Sequence, residues 1–251
     1  MFKTYTFMLT VSMGKRLIAK ALMKNESVRE AMMNHRLLIA SGTPNAYVAE
    51  EALKLIGDTT PFDKRIYHRG ITVAPGAKVV PGQTTFDLLI DHGKAYFDRT
   101  LFDITPELGE NDMIMKGANA LYLDMREAGV LIGHPQGGTL MPITAAAIGR
   151  RVQLIVPVGV EKRVDRPIIE LARMFNQGPG EGPRLAPIPG KPYTELDALF
   201  ELFRVDSEIL ASGGAMGAEG GVYFTVHSTE EKIEQLKAFV AELRDEPPTQ
   251  L

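Results

Sequence analysis

Short apolar runs alternate along this chain with stretches of helical periodicity. Four runs have the continuous apolar character of strands buried on both faces: residues 36–40 (RLLIA), 112–116 (DMIMK), 129–133 (GVLIG) and 153–159 (QLIVPVG). Helical spacing predicts helices over residues 14–23, 27–33, 46–56, 141–150, 167–175 and 198–203. This alternation predicts an α/β fold in which a mainly parallel sheet carries helices on both faces.

Other segments complete a single predicted domain over residues 1–251. Further strands are expected at residues 1–13, 70–73, 86–97 (one or two strands), 208–212 and 222–226, before a last helix capped by Ser228 or Thr229. Glycine and proline are dense in residues 176–192, which predicts a long surface loop or a small insert. Residues 245–251 are expected to form a frayed tail.

Composition narrows the class of protein. The chain of 251 residues is 45% hydrophobic and 24% charged, as is usual for globular proteins. With 28 basic and 31 acidic residues the net charge is −3, so we expect no nucleic-acid partner and no membrane partner. The chain has no cysteine, which excludes disulfides, thiolate nucleophiles and zinc–thiolate sites. We expect a cytoplasmic protein with no cofactor and no metal.

The first candidate binding loop follows the strand at residues 36–40. Ser41, Gly42, Thr43 and Asn45 surround Pro44, which suits the first turn of the next helix. Small residues let backbone amides approach a ligand, and the start of a helix favours an anion. The alternative is a tight turn with helix capping and no ligand.

The second and third loops also follow buried strands. Lys116, Gly117, Ala118 and Asn119 offer a cation for a phosphate or carboxylate and an amide that orients a carbonyl or hydroxyl. The alternative for this loop is a solvated lysine before a turn. The third loop spans residues 133–139 and contains His134, a candidate proton donor near neutral pH. The alternative for His134 is a structural hydrogen bond.

The third loop also contains a candidate anion cradle. Gly137, Gly138 and Thr139 precede a predicted helix. Because ligands of parallel sheets bind outside the carboxyl ends of the strands, we predict that all three loops meet at one edge of one sheet.

Weaker signals lie outside these loops. Glu161 and Lys162 either reach the same edge or form a surface ion pair. Residues 213–221 are rich in glycine but precede a strand, so we expect a mobile loop that covers the site. The remaining histidines show no metal-ligand spacing with acids: His35, His68, His92 and His227.

The three loops together resemble the superfamily that contains ribose-5-phosphate isomerase, glucosamine-6-phosphate deaminase and the CoA transferases. Residues 39–49 (IASGTPNAYVA) are similar to its phosphate loop and following helix. Residues 115–121 (MKGANAL) stand where the isomerases carry Asp-Gly-Ala-Asp, and residues 133–140 stand where they carry Lys-Gly-Gly-Gly-Gly-Ala. The resemblance implies a Rossmann-like sheet and a homo-oligomer.

The chain departs from this superfamily at the catalytic positions. Lys116 and Asn119 replace the two aspartates of the isomerase motif, and His134 or Pro135 replaces its lysine. The glutamate base of the isomerases corresponds to the neighbourhood of Ile143, which cannot accept a proton.

Three possibilities therefore remain. The first is an isomerase or transferase-like enzyme for a small anionic, phosphorylated metabolite. Its ligand would be held by Ser41, Gly42, Thr43, Asn45, Gly117, Ala118, Gly137, Gly138 and Thr139, and its reacting centre would face Lys116, Asn119 and His134. The second is a non-catalytic ligand sensor that kept the pocket and lost the base. A vestigial pocket in a structural subunit is a third, plainer possibility.

Overall fold

The computed structural model describes residues 1–69, 72 and 86–247. Its strands are β1 Phe2–Leu9, β2 Arg36–Ile39, β3 Leu88–Asp91, β4 Lys94–Tyr96, β5 Met113–Met115, β6 Ala120–Tyr122, β7 Glu127–Ile132, β8 Gln153–Pro157, β9 Arg184–Ile188, β10 Lys191–Tyr193, β11 Ser207–Ser212 and β12 Val222–Thr229. Its α-helices are α1 Val11–Leu22, α2 Glu26–Asn34, α3 Thr43–Ile56, α4 Leu101–Ile104, α5 Leu140–Thr144, α6 Ile168–Asn176, α7 Glu195–Phe203 and α8 Glu230–Leu243. The strand predicted over residues 70–73 lies outside the described residues, apart from Thr72.

A six-stranded sheet forms the centre of the fold, in the order β10-β8-β5-β2-β3-β4. The first four strands are parallel to one another. The apolar residues of β2 and β5 are fully buried, as their uninterrupted runs predicted. Helices pack on both sides of the strands, so the α/β class is confirmed.

The prediction of a mainly parallel sheet holds only for those four strands. β3 runs antiparallel to β2, and β4 runs antiparallel to β3. His92 and Gly93 join β3 to β4 with φ angles of 48° and 75°. A two-residue turn with both φ angles positive matches the twist of an antiparallel hairpin, so this segment cannot continue the parallel order.

Two three-stranded antiparallel sheets accompany the central one. The order is β1-β12-β11 in one and β6-β7-β9 in the other. The strand predicted over residues 129–133 is β7, and it therefore does not belong to the parallel sheet. Its neighbours are β6 and β9, both antiparallel to it.

Residues 176–192 contain two strands, so the prediction of a surface loop was wrong for part of that range. β9 pairs with β7, and β10 pairs with β8. Each of these strands lies at the edge of its sheet and contains a proline, Pro187 or Pro192. Proline is tolerated at sheet edges because one side of an edge strand needs no ladder hydrogen bond. The glycine and proline content thus concealed two edge strands.

Residues near both ends of the described chain contact the rest of the domain. β1 pairs with β12 along its whole length, and Thr229 caps α8 through a hydrogen bond from the Lys232 N–H. Glu246 accepts a hydrogen bond of 2.8 Å from Arg16, so the predicted frayed tail does not begin at residue 245. Residues 248–251 of that tail lie outside the described residues. Among the residues that the structure describes, no helix has both the length and the apolar character that crossing a membrane requires.

Candidate functional site

A cavity of about 470 Å³ lies where β2 and β5 of the central sheet end. Residues from all three predicted loops line it, although the third loop follows β7 of the small sheet. The predicted site residues that line the cavity are Gly42, Thr43, Lys116, Gly117, Ala118, Asn119, His134, Gly137, Gly138 and Thr139. The structure therefore brings the three loops together, but by a route other than one shared sheet edge.

Ser41 and Asn45 are the two predicted site residues that do not line the cavity. Asn45 is fully buried, and its side-chain amide donates hydrogen bonds to the carbonyls of Ala40 (2.7 Å) and Met115 (2.9 Å). Ser41 is buried too, and its N–H donates to a carboxylate oxygen of Asp87 over 2.8 Å. Asn45 thus joins the ends of β2 and β5, and Ser41 joins the end of β2 to Asp87.

The start of α3 forms one wall of the cavity. Gly42 is its N-cap residue and makes no side-chain capping hydrogen bond, and Pro44 occupies its first turn. Gly42, Thr43 and Pro44 all line the cavity. An uncapped start leaves helix N–H groups and the positive end of the helix dipole without a side-chain acceptor, which favours an anion here.

Lys116 is the first residue after β5, and its backbone N–H donates to the carbonyl of Ile155 in β8. Only 9% of the residue is exposed, yet it lines the cavity. Burial, followed by the nearby charge of Lys162, lowers the pKa of Lys116 to about 8. No described residue forms a hydrogen bond or an ion pair with its ammonium group.

Lys162 supplies a second cation from another element. It ends the 3-10 helix Val160–Lys162 that follows β8, and its ammonium donates to the Ala118 carbonyl over 2.7 Å. Burial lowers the pKa of Lys162. The sequence left two possibilities for Lys162, a place at the same edge as the three loops or a surface ion pair. Its position in the cavity lining with Lys116 matches the first of these.

Behind Lys162 lies a buried carboxylate. Glu195 is 4% exposed and accepts a hydrogen bond of 2.9 Å from the N–H of Val160, which begins the 3-10 helix. Burial, together with the charge of Glu161, raises the pKa of Glu195 to about 8. Glu195 does not line the cavity, so it supports the segment that carries Lys162 from the side away from the ligand.

Arg69 brings a third basic side chain to the cavity lining. Its Nη1 lies 2.9 Å from an oxygen of Asp87, which is fully buried. The same carboxylate accepts the N–H groups of Ser41 (2.8 Å) and Leu101 (2.7 Å). Asp87 thus joins Arg69 to the first binding loop.

Asn119 connects the loop after β5 to strand β7, which both contribute residues to the cavity lining. Its Oδ1 accepts the N–H of Leu131 in β7 over 3.0 Å, and its Nδ2 donates to Thr72 over 3.2 Å. Its backbone N–H donates to the carbonyl of Gly129 over 2.8 Å. One amide hydrogen remains for a ligand, but the residue mainly ties the loop after β5 to the small sheet.

His134 is exposed at the rim of the cavity. Its Nδ1 accepts the N–H of Gln136 over 3.2 Å, so the neutral ring carries its proton on Nε2. Gly137 and Gly138 follow with φ angles of 77° and 55°. These left-handed conformations favour glycine and turn the chain back toward α5.

The described part of the lining is basic. It contains Lys116, Lys162 and Arg69 together with two histidines, His68 and His134, and it contains no aspartate or glutamate. Apolar side chains of β7 complete the opposite wall. Within residues 1–69, 72 and 86–247, no group of three or more His, Asp or Glu side chains is placed to hold a metal ion.

Sequence reasoning missed several parts of this site. His68, Arg69 and Thr72 come from a loop-rich stretch without a motif, and no local pattern marks Asp87 as buried. The glycine-rich loop at residues 213–221 joins β11 to β12 and does not line the cavity, so the structure does not give it the covering position that was predicted.

Comparison of the chain with protein-family models, with characterised proteins and with solved structures gave no match.

Proposed function

We propose that the protein binds a small anionic metabolite, such as a sugar phosphate, in the cavity after β2 and β5. The observation that carries this proposal is the convergence of Lys116, Lys162 and Arg69 on a lining whose described part holds no carboxylate. Arg69 is paired with Asp87, whereas Lys116 and Lys162 form no ion pair with any described carboxylate. Two buried ammonium groups without such a partner favour an anionic ligand, because an opposite charge stabilises a cation that is shielded from water.

The size of the cavity supports a ligand of this class. Small-molecule sites occupy roughly 300–1,000 Å³, and this cavity measures about 470 Å³. The start of α3 offers N–H groups to an anion, and the apolar wall from β7 offers contact to a carbon skeleton. Both features suit an organic anion better than a free ion.

The finer assignment of the fold is also a proposal. The four parallel strands, with the first two binding loops at their carboxyl ends, support a Rossmann-like sheet related to ribose-5-phosphate isomerase and the CoA transferases. On this basis we propose an isomerase or transferase-like activity on the bound anion.

A non-catalytic sensor is the second candidate, and one observation favours it. The described lining has no carboxylate that could abstract a proton beside a carbonyl. A protein that binds a sugar phosphate without converting it would belong to this second class.

We propose in addition that the protein is a cytoplasmic homo-oligomer. The apolar side chains of Ile169, Met174 and Phe175 on α6 are 44%, 61% and 65% exposed, which supports an interface between copies. Sedimentation velocity of the full chain tests this proposal, and a monomer at all concentrations contradicts it.

Titration calorimetry with ribose 5-phosphate, inorganic phosphate and neutral ribose tests the binding proposal. We expect both phosphates to bind and ribose not to bind. Lys116→Met should weaken phosphate binding by about 10- to 100-fold, the effect of losing one charge-assisted contact. Lys94→Met is the matched control, because Lys94 is exposed on β4 and does not line the cavity.

The outcomes separate the candidates. No heat and no thermal stabilisation with any anion contradicts the proposal, since a ligand of the native state must raise its stability. Binding followed by isomerisation of ribose 5-phosphate or exchange of a CoA ester supports the enzyme. Binding without turnover supports the sensor.

A further inference from the structure

Three lysine and arginine side chains of the described lining differ in what they already contact. Lys162 donates to the Ala118 carbonyl, and Arg69 is paired with Asp87. Lys116 faces the same cavity, and no described residue accepts a hydrogen bond from its ammonium group. The backbone N–H of Lys116 donates to the Ile155 carbonyl, and its side chain is almost wholly buried. The amine therefore has a defined position, and no described contact explains why it is there.

The surroundings of Lys116 raise the neutral fraction of its amine near pH 8, although the charged form still predominates at pH 7. Burial in the cavity wall removes hydration from the ammonium, and Lys162 adds a like charge. The charged and titratable groups that face it or line the same cavity are Lys162, Arg69, Asp87, His68 and His134. Only the carboxylate of Asp87 favours the charged form, and Asp87 already accepts hydrogen bonds from Arg69 and two backbone N–H groups.

We infer that Lys116 forms an imine with the carbonyl carbon of a small anionic aldehyde or ketone bound in this cavity. The inference rests on the proposed function, because the anionic group is what holds the carbonyl against the amine. It narrows the ligand class from any small organic anion to one that carries a free or ring-opened carbonyl.

The step balances without an oxidant or reductant. The nitrogen lone pair of neutral Lys116 attacks the carbonyl carbon, and the π electrons move to the oxygen, which takes a proton to give a carbinolamine. The proton taken by the oxygen comes from the nitrogen in net terms, so the carbinolamine nitrogen keeps one proton. The hydroxyl group takes a second proton and leaves as water, the nitrogen lone pair forms the C=N bond, and the nitrogen loses that last proton, so that the two amine protons depart with the carbonyl oxygen as one water molecule. A desolvated lysine beside a second cation is the arrangement that activates an amine for this chemistry.

The other cavity groups place the ligand for this step. Lys162 and the start of α3 flank the cavity and are available to the anionic group. Val130 and Ile132 line the same cavity and offer apolar contact to the carbon chain of the ligand. Lys116 lines it as well, so an anion held by Lys162 and the start of α3 shares the cavity with the amine.

Reductive trapping tests the inference on the full-length protein. Glyceraldehyde 3-phosphate is the probe, cyanoborohydride reduces any imine to a stable secondary amine, and peptide mass spectrometry locates the adduct. We expect Lys116 to be labelled on the order of tenfold faster than the exposed Lys94 at pH 8, because Lys116 lies in the cavity that binds the probe and its pKa is lowered to about 8. The rate at Lys116 should rise between pH 7 and 9, and inorganic phosphate should slow it without affecting Lys94.

Two further measurements keep the inference separate from the proposed function. Neutral glyceraldehyde should label Lys116 more slowly than its phosphate, since it lacks the anionic group. Calorimetry with inorganic phosphate reports anion binding alone. Phosphate binding with Lys116 labelled no faster than Lys94 overturns the imine and leaves the anion site intact. Absence of both phosphate binding and the adduct overturns the two proposals together.

Discussion

Arg69 Nη1 lies 2.9 Å from a carboxylate oxygen of Asp87, and Asp87 has no exposed surface. The carboxylate also accepts the N–H groups of Ser41 and Leu101. One buried acid thus fixes the first binding loop, the start of α4 and a cation of the cavity lining. The geometry of the cavity therefore depends on a residue that does not itself line it.

Asp87→Asn should lower both stability and anion binding. The amide keeps one acceptor oxygen but loses the charge that balances Arg69, and one of the two backbone N–H groups then faces an NH₂. We expect a loss of about 2–4 kcal/mol in the free energy of unfolding, measured by urea denaturation. Asp98→Asn, at an exposed position, is the control and should change stability by less than about 0.5 kcal/mol. Equal effects of the two substitutions would contradict the role given to Asp87.

Lys116→Met should make the protein more stable at pH 7 while it weakens phosphate binding. In the folded state the pKa of Lys116 is lowered to about 8. Below that pH the cost of burying its charge is fully present, and it is relieved as pH rises toward the unfolded pKa. Removing the charge should add on the order of 1–3 kcal/mol to the free energy of unfolding at pH 7.

The same substitution should flatten the pH dependence of stability. Between pH 8 and 10 the unfolded wild-type chain binds more protons than the folded one, so its stability rises. Lys116→Met removes one part of that rise, and Lys15, whose pKa is also lowered to about 8 by burial, retains another. Urea unfolding at pH 7 and pH 9 measures the difference. A variant less stable than wild type at pH 7 would show that the buried ammonium is not a cost.

Anion affinity should fall as pH rises through 8. Sulfate is the suitable probe, because its own charge does not change in this range, and calorimetry at constant ionic strength measures its binding. As Lys116 loses its proton the affinity should drop by up to about tenfold per pH unit. Lys116→Arg stays charged and should show a shallower decline, although its planar group fits the cavity less well. A wild-type affinity that is constant from pH 7 to 9 would rule out Lys116 as an anion contact.

Gly137 and Gly117 offer a matched pair of substitutions in the cavity. An added Cβ at Gly137 would lie 2.4 Å from Met141 Cγ, at a residue with φ of 77°. At Gly117 the nearest atoms lie 3.6 Å away in Pro44, an ordinary contact. Gly137→Ala should therefore cost about 1–2 kcal/mol of stability from the left-handed backbone alone, and Gly117→Ala should cost much less. Thermal or urea unfolding of both variants checks the difference.

Local sequence patterns were sufficient to predict the strands and the helix that flank the first two binding loops. The apolar runs of β2 and β5 and the small residues before α3 predict a strand, a turn and a helix start, because each depends on nearby sequence alone. The same patterns singled out Lys116 at the end of β5. These patterns could not predict which strands pair. β7 is apolar and buried like β5, but it lies in an antiparallel sheet, whereas β5 lies among parallel strands.

The residues that sequence reasoning missed are set by tertiary contacts. Arg69 and Asp87 are 18 positions apart and meet across a stretch without periodicity. The burial of Asp87 follows from packing around it, which no composition or spacing reveals. Lys162 enters the cavity because a short 3-10 helix turns it back toward Ala118, and that turn depends on the support of Glu195.

The cavity lies between two sheets that share no ladder in the part of the chain that the structure describes. The Asn119 side chain links the loop after β5 to β7 by accepting the N–H of Leu131. Val130 and Ile132 of β7 line the cavity and also belong to the hydrophobic core, so substitutions there change both. The turn after β7 differs, because His134 lines the cavity and is exposed. Substitutions in this turn should therefore change the rim of the cavity and leave the packing of the domain intact.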